Sequence, residues 1–385
     1  MLASLQDILD TVKSNTLTYQ QKLMCLGNIA ERLFDPRELL GYTDEEWQFL
    51  QNQMICDLNE GYAIYRPRYI LPDYNVYIKK GCEFLELPAP KNLDEALDGL
   101  LILYSHVPSI TTFPVYIGRL DMLLDPFITD EEQDYIKIKR FLNHVDKTVP
   151  DSFCHANIGP YDTKAGRLIL KAVIELEAPT PNMTIRYDKS KTSREFAELA
   201  AKACLLVSKP SFANDAYYIS DLGEQYGIAS CYNALPECGG AYTLTRLRLG
   251  TIARACKTVD EMVNELLPRV AKCALSTMDK RHKFVVEESN FFNTSFLEKE
   301  GFIKRTNFTG MFAIVGLADA ANHLLQQEGL NETFGKSQRG DEIATLIMDK
   351  LKEVTDNHEG VYAERTGNRY LLHAQVGASN HEEDK

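Results

Sequence analysis

The loop Tyr226–Gly240 places Cys231 between an apolar approach and a turn-rich segment that contains one proline and two adjacent glycines. Loops flanked by buried elements commonly hold functional residues. Two kinds of chemistry are open to such a cysteine. A nucleophilic thiolate needs a lowered pKa and usually a partner base. Hydrogen-atom transfer instead needs the intact S–H, shielded from solvent and in contact with a substrate C–H. Taken alone, the loop favours a buried structural cysteine over either.

The chain has nine cysteines, and none forms a Cys-x-x-Cys pair. An odd number of scattered thiols in a chain of 385 residues does not indicate a disulfide framework. The spacing of the cysteines and histidines also fails to match a zinc or iron–sulfur site. We therefore expect no metal centre and no cofactor bound by these residues.

Several other motifs accompany the cysteine segment Ser230–Pro236. In this order they resemble the YjjI-type branch of the glycyl radical enzymes, and the resemblance extends over nearly all of the chain. Separated motifs in one order are more specific than any single one. The further matching runs begin at Gly61, His106, Pro114, His155, Ser295, Gly316 and Leu372.

The resemblance implies an α/β fold like that of pyruvate formate-lyase, a ten-stranded barrel of two half-barrels wrapped by helices. It implies that Cys231 forms a thiyl radical on a loop inside the barrel and attacks a small organic substrate, anaerobically. A glycine on a second loop would hold the resting radical. A separate iron–sulfur activating enzyme that uses S-adenosylmethionine would install it, so this enzyme is an expected partner.

Two departures from the family pattern matter. No Arg-Val-x-Gly-Tyr motif occurs, and the nearest string, Arg365–Tyr370, has the wrong order and context. We therefore expect the barrel to be incomplete at its C-terminus, truncated before the glycyl radical domain. The branches that dehydrate or decarboxylate place Glu where Asn233 stands, and pyruvate formate-lyase has a second cysteine where Ser230 stands. Neither dehydration nor acyl transfer can be read from this loop, and the substrate stays open.

With the resemblance, Cys231 becomes the predicted catalytic residue. Six polar residues are candidates for substrate binding, each with a structural alternative. Asn233 and Glu237 follow the cysteine, although Asn in a turn often serves the turn. His155 and Asn157 precede a Gly-Pro pair and are predicted to lie in a loop. His373 and Gln375 follow an apolar pair, as at the end of a barrel strand, although a buried histidine with satisfied hydrogen bonds is an alternative.

The elements that must position these residues alternate between helices and short strands, which indicates an α/β protein. Thr43 with Glu46, and Thr192 with Glu195, have the spacing of helix-starting capping boxes. Strands are predicted at Met183–Tyr187, Gly227–Ser230, Thr243–Leu249 and Lys283–Val286. We expect residues 1–385 to form a single body, with 1–90 mostly helical and 91–385 forming the barrel part.

The formal net charge of −13 argues against a nucleic-acid partner, because binding phosphates needs clustered Lys and Arg. No apolar run reaches the length of a membrane helix, and no signal peptide is recognised, so a cytoplasmic location is expected. A homodimer is the default expectation for assembly. Two alternatives to a truncated enzyme stay open. The chain would be one subunit of a split enzyme completed by a separate glycyl radical protein, or a non-catalytic relative that binds a metabolite or partner.

Overall fold

The computed structural model of the protein describes residues 4–31, 33, 35–56, 64–108, 114–148, 153–229 and 233–374. Its strands are short and lie between helices or tight turns. In chain order the strands are β1 Ile55–Cys56, β2 Tyr69–Leu71, β3 Tyr116–Arg119, β4 His155–Ile158, β5 Asn182–Tyr187, β6 Ser211–Asn214, β7 Tyr226–Ala229, β8 Asn233–Pro236, β9 Gly239–Arg248, β10 Phe308–Val315 and β11 Leu371–Ala374.

Helices surround these strands. They are α1 Leu5–Lys13, α2 Tyr19–Glu31, α3 Pro36–Leu40, α4 Asp44–Gln51, α5 Asn75–Lys80, α6 Leu93–Tyr104, α7 Leu120–Leu124, α8 Glu131–Thr148, α9 Lys164–Leu176, α10 Arg194–Val207, α11 Asp215–Leu222, α12 Leu249–Arg254, α13 Leu267–Lys283, α14 Phe291–Thr294, α15 Phe296–Lys299, α16 Leu317–Gln327 and α17 Gln338–Asp356. Among the described helices, none is both long and apolar enough to cross a membrane.

Side-chain caps start several of these helices. The Thr43 box is confirmed, because Thr43 accepts the Glu46 N–H at 3.2 Å and Glu46 accepts the Thr43 N–H at 2.7 Å. The start predicted at Thr192 is wrong by one residue. Ser193 caps α10 instead, accepting the N–H of Phe196 at 3.1 Å. Neighbouring hydroxyl residues can both occupy this position, and the sequence does not distinguish them.

The strand predictions are largely confirmed. Met183–Tyr187 lies within β5, and all but the last residue of the predicted run Thr243–Leu249 lies within β9, which begins earlier, at Gly239. The strand predicted at Lys283–Val286 is wrong, since this segment ends α13 and continues in a π-helical turn, Phe284–Glu288. Its β-branched residues favour strands only weakly, and the preceding helix overrides that preference.

The first sheet contains four parallel strands in the order β3-β4-β5-β6. Successive side chains of a strand point to opposite faces. Ala156 and Ile158 of β4, and Ile185 of β5, are fully buried in the main apolar core. The polar residues of β4 lie on the opposite face, so this sheet has one apolar and one polar side.

The second sheet is built on the long strand β9. β10 pairs with β9 in parallel, and β11 pairs with β10 in parallel. The other edge of β9 is covered by two short antiparallel strands, β2 beside its first half and β1 beside its second. Residues before position 91 thus supply strands to the same sheet as residues after it. The predicted α/β class is confirmed, whereas the closing of ten strands into a barrel stays a prediction for the part of the chain described.

Candidate functional site

β7 and β8 form an antiparallel hairpin, with Tyr226 paired to Pro236 and Ala229 paired to Asn233. Residues 230–232 connect the two strands in sequence, so Cys231, the predicted thiyl residue, lies outside the described residues. The hairpin contacts β3 and β4 of the first sheet and β9 of the second. The two strands of the hairpin therefore fix both ends of the segment that contains Cys231.

Asn157 of β4 binds the backbone of β7 at Ile228. The Asn157 Nδ2 donates to the carbonyl oxygen of Ile228 at 3.0 Å, and the Ile228 N–H donates to Asn157 Oδ1 at 2.7 Å. Both residues are buried. A carboxamide offers one donor and one acceptor, as a peptide group does. The side chain therefore stands where a neighbouring strand would otherwise supply both hydrogen bonds.

Asn157 and His155 were predicted to lie in a loop, and this placement is wrong. Both belong to β4, where they alternate with the apolar residues Ala156 and Ile158, and the apolar Cys154 directly precedes the strand. Alternation with a period of two is the pattern of a strand with one apolar face. The following Gly-Pro pair marks the end of that strand.

A buried ion pair holds the other end of β7. Arg186 Nε donates to Asp215 Oδ1 at 2.8 Å, and Arg186 Nη1 donates to the carbonyl oxygen of Tyr226 at 3.2 Å. The Tyr226 hydroxyl donates to the same Asp215 oxygen at 2.7 Å, and the Arg186 guanidinium lies 3.8 Å from the centre of the Tyr226 ring. Planar guanidinium groups suit such combined stacking and hydrogen bonding. The first residue of the hairpin is thus fixed to β5 and α11.

Glu237 lies just after the hairpin and accepts a hydrogen bond from the Tyr116 hydroxyl at 3.2 Å. Burial, together with the neighbouring Asp73, raises the pKa of Glu237 to about 7. Asn233 begins β8, four residues earlier. With about 3.3 Å per residue along a strand, the two ends of β8 are roughly 10 Å apart, and Glu237 follows the end opposite to Asn233. The two candidates on this loop therefore do not meet.

His155 lies in an aromatic environment. Its ring packs edge-on against Phe153 at 5.9 Å between centres, and Phe153 stacks on Tyr69 of β2. Burial lowers the pKa of His155 to about 4, so the imidazole is neutral at physiological pH. On β4 it shares the face of Asn157, which is the face toward the hairpin.

His373 is placed on the second sheet, in β11. Ala313 of β10 pairs with His373 on one side and with Arg246 of β9 on the other, so the three residues form one row across the sheet. Leu371, two residues before His373, packs against Tyr226 and its apolar neighbours. Residues two apart on a strand share a face. The row of His373 therefore faces the hairpin, and Gln375 lies outside the described residues.

The structure brings His155 and Asn157 to one side of the hairpin and His373 to the other. Arg186 and Asp215 were not predicted as site residues, although an arginine next to Ile185 inside the predicted strand Met183–Tyr187 was an available signal. Arg246 was also missed as a site residue. In the described part of the chain, no cluster of three His, Cys, Asp or Glu side chains could hold a metal ion.

Comparison with known proteins assigns the chain to a family. The model of the family described as "Glycyl radical enzyme YjjI-like" matches residues 17–385. An uncharacterised protein of Haemophilus influenzae is 92% identical over 385 residues, which are all of this chain and 75% of that protein. The uncharacterised protein YjjI of Escherichia coli is 42% identical over 372 residues, covering 96% of this chain and 71% of YjjI.

Solved structures share the fold. The anaerobic ribonucleotide reductase of Thermotoga maritima with citrate in its active site matches with a TM-score of 0.72 at 11% identity, over 95% of this chain and 78% of that one. The glycerol-bound, B12-independent glycerol dehydratase of Clostridium butyricum matches with a TM-score of 0.66 at 12% identity, over 96% and 69%. The α/β fold is thus that of the barrels of glycyl radical enzymes, and the chain belongs to the YjjI-like glycyl radical enzyme family.

Proposed function

We propose that this chain is the body of a glycyl radical enzyme in which Cys231 transfers hydrogen atoms to and from a small organic substrate. The observation that supports this most is the buried hairpin β7–β8, which bears Cys231 in its connecting segment and packs between two mainly parallel sheets. The two described strands of the hairpin are covered by strands on both sides, which supports a protected place for a reactive radical.

The proposed step is balanced in atoms and electrons. Cys231 gives the hydrogen atom of its S–H bond to a glycine Cα radical, so that one S–H bond breaks and one C–H bond forms. The thiyl then takes a hydrogen atom from a substrate C–H bond, so that the S–H bond forms again and the unpaired electron moves to the substrate carbon. After the rearrangement Cys231 returns a hydrogen atom to the product radical, and the thiyl takes one back from the glycine. Because S–H and activated C–H bonds have similar strengths, each exchange is nearly balanced. The chain's contribution is to position the sulfur and to exclude water.

Among the predicted substrate-binding residues, we propose contact with substrate for Asn233, His155, His373 and Gln375. For Asn233 and Gln375 the support comes from their positions in the sequence, two residues after Cys231 and two residues after His373. His155 and His373 face the hairpin from opposite sheets. Asn157 and Glu237 are bonded to the hairpin and to Tyr116, which supports a role in holding the loop rather than in touching the substrate.

We also propose that the radical glycine belongs to polypeptide outside these 385 residues, because no Arg-Val-x-Gly-Tyr motif occurs within them. A following segment of the same protein, or a separate glycyl radical protein, would supply it. An activating enzyme that uses S-adenosylmethionine and an iron–sulfur cluster would generate the radical. Residues 1–385 would then be one catalytic body.

The test is untargeted metabolite profiling with the protein joined to, or mixed with, the polypeptide that carries the radical glycine and then activated anaerobically. We expect the wild type to consume at least one small metabolite of an anaerobic cell extract, and Cys231→Ala to consume none while still forming a glycyl radical. Cys238→Ala is the matched control, since Cys238 is a buried thiol seven residues away in the same loop. Equal consumption by wild type and Cys231→Ala would contradict the proposal.

A further inference from the structure

We infer that Asn157 is a positioning residue for the cysteine loop, and that its two hydrogen bonds to Ile228 set the reach of the Cys231 sulfur toward the radical glycine. This inference rests on the proposed function and deepens it. Asn157 does not act on the substrate in this account. It acts through Ile228 of β7, which lies three residues before Cys231 in sequence.

The two hydrogen bonds from Asn157 hold the edge of β7 that does not pair with β8. Among the described strands, β7 pairs only with β8, so its other edge depends on side chains. Asn157 satisfies both the N–H and the carbonyl of Ile228, which are buried and would otherwise need other partners. Removing the carboxamide would free the end of β7 nearest to Cys231.

The opposite end of β7 would stay in place without Asn157. Arg186 and Asp215 bind Tyr226 through its carbonyl oxygen, its ring and its hydroxyl, and none of these contacts involves Asn157. A variant of Asn157 should therefore keep the sheet and the start of the hairpin. The substitution is expected to misalign only the end of β7 that leads to Cys231.

Alignment at this level has a large effect on hydrogen-atom transfer, which requires contact between the two atoms that exchange hydrogen. A misplacement of about 1 Å can reduce the rate of a positioned reaction roughly 100-fold. The effect would appear in the exchange between Cys231 and the glycine, and it can be measured without knowing the substrate.

The readout is the electron paramagnetic resonance spectrum of the glycyl radical after transfer into D2O. The thiol of Cys231 exchanges its hydrogen with solvent, so the glycine receives deuterium when Cys231 S–D gives its atom to the Cα radical. The thiyl then takes back either hydrogen or deuterium. Repeated cycles replace the α-hydrogen, and the doublet of the radical collapses to a singlet. The rate of collapse reports how well Cys231 reaches the glycine.

Two variants and a matched control make the test specific. Asn157→Leu removes both hydrogen bonds at similar volume. Thr184→Val is the control, because Thr184 pairs with Asn157 in register, is buried, and bonds to Ser211 of β6 rather than to the hairpin. Measured well below the thermal midpoint of each variant, collapse is expected to slow roughly 100-fold in Asn157→Leu and to stay within a factor of about two of wild type in Thr184→Val.

Asn157→Asp adds a pH profile that a purely structural role would not produce. A protonated Asp side chain can donate to the Ile228 carbonyl and accept from its N–H, whereas the carboxylate can only accept. Burial raises the pKa of carboxyl groups. Relative to wild type at each pH, collapse in Asn157→Asp should approach the wild-type rate at low pH and fall as pH rises.

The outcomes separate this inference from the proposed function. Collapse that depends on Cys231 but is as fast in Asn157→Leu as in Thr184→Val would overturn the positioning role alone. The positioning role would also be overturned if the rate of collapse in Asn157→Asp, relative to wild type, did not change with pH. A wild-type doublet that persists in D2O, or that collapses equally in Cys231→Ala, would overturn both.

Discussion

Arg186 and Asp215 form a fully buried ion pair, with Arg186 Nε 2.8 Å from Asp215 Oδ1 and neither side chain more than 2% exposed. The pair joins β5 to the start of α11. Tyr226 of the hairpin hydrogen-bonds to both residues of the pair, so the hairpin is attached to it as well. Charges are buried in proteins only when their hydrogen bonds are satisfied. This pair therefore connects the stability of the first sheet to the position of the cysteine loop.

Removing one partner of this pair should destabilise the protein strongly. Asp215→Ala would leave the Arg186 charge buried without its carboxylate, and we expect the free energy of unfolding to fall by about 3 to 5 kcal/mol. Denaturant unfolding measures this change. Arg194→Ala is the control, since Arg194 pairs with Glu198 on the surface and is 87% exposed. Its loss should change the free energy by less than about 1 kcal/mol. Similar losses of stability in the two variants would contradict the role of the Arg186–Asp215 pair as a buried, stabilising ion pair.

Glu237 should make stability depend on pH. Its pKa is raised from 4.5 to about 7 in the folded protein, so the folded state holds a proton that the unfolded state has lost between these values. Stability from this group is fully present below pH 4.5 and declines as pH rises through about 7.

The comparison with Glu237→Gln isolates this effect. Gln cannot ionise and still accepts from the Tyr116 hydroxyl. The stability of the variant relative to wild type should increase between pH 4.5 and 7, by a few kcal/mol, and then level off. Unfolding free energies measured across this range test it. A relative stability that is constant with pH would show that Glu237 does not titrate as proposed.

Gly227 should not tolerate a side chain. A Cβ at this position would lie 2.7 Å from Cζ of Tyr116 and 3.0 Å from Cδ2 of Leu71. Glycine inside a strand often marks such a close approach. We expect Gly227→Ala to lower the free energy of unfolding by about 1 to 3 kcal/mol. Gly27→Ala is the control, because no atom lies within 4 Å of a Cβ there and α2 gains a better helix former. Equal stability of the two variants would be inconsistent with the packing of β7.

Tyr370 precedes β11 and connects it to α13. Its hydroxyl donates to Asp279, hydrogen-bonds to Nδ1 of His282 at 2.9 Å and accepts from the N–H of Val361 at 3.1 Å. Tyr370→Phe would remove these three hydrogen bonds, one of them to the fully buried His282, and we expect the free energy of unfolding to fall by about 1 to 3 kcal/mol.

Hydrogen exchange of the β11 amides should also accelerate in Tyr370→Phe, because the hydroxyl ties the start of this strand to α13. Tyr362→Phe is a suitable control. The Tyr362 hydroxyl donates to Glu287 at the surface, where water can replace it. Unchanged exchange in β11 would argue against this role of Tyr370.

The parts of this molecule that depend on local pattern were predictable from the sequence. The strand β5 and the loop around Cys231 could be recognised from neighbouring residues alone. The role of Asn157 could not, because Ile228 is 71 residues away and the pairing depends on how two elements cross. The pairing of Arg186 with Asp215 could not be predicted from the sequence for the same reason. Lys283–Val286 was mistaken for a strand because the length of α13 was not apparent from its β-branched residues.

The central claim is that Cys231 exchanges hydrogen with the radical glycine. The most direct measurement is the collapse of the glycyl radical doublet in D2O, compared between wild type, Cys231→Ala and Cys238→Ala. We expect collapse to a singlet in wild type and Cys238→Ala, and a persistent doublet in Cys231→Ala. Collapse in Cys231→Ala at the wild-type rate would contradict it.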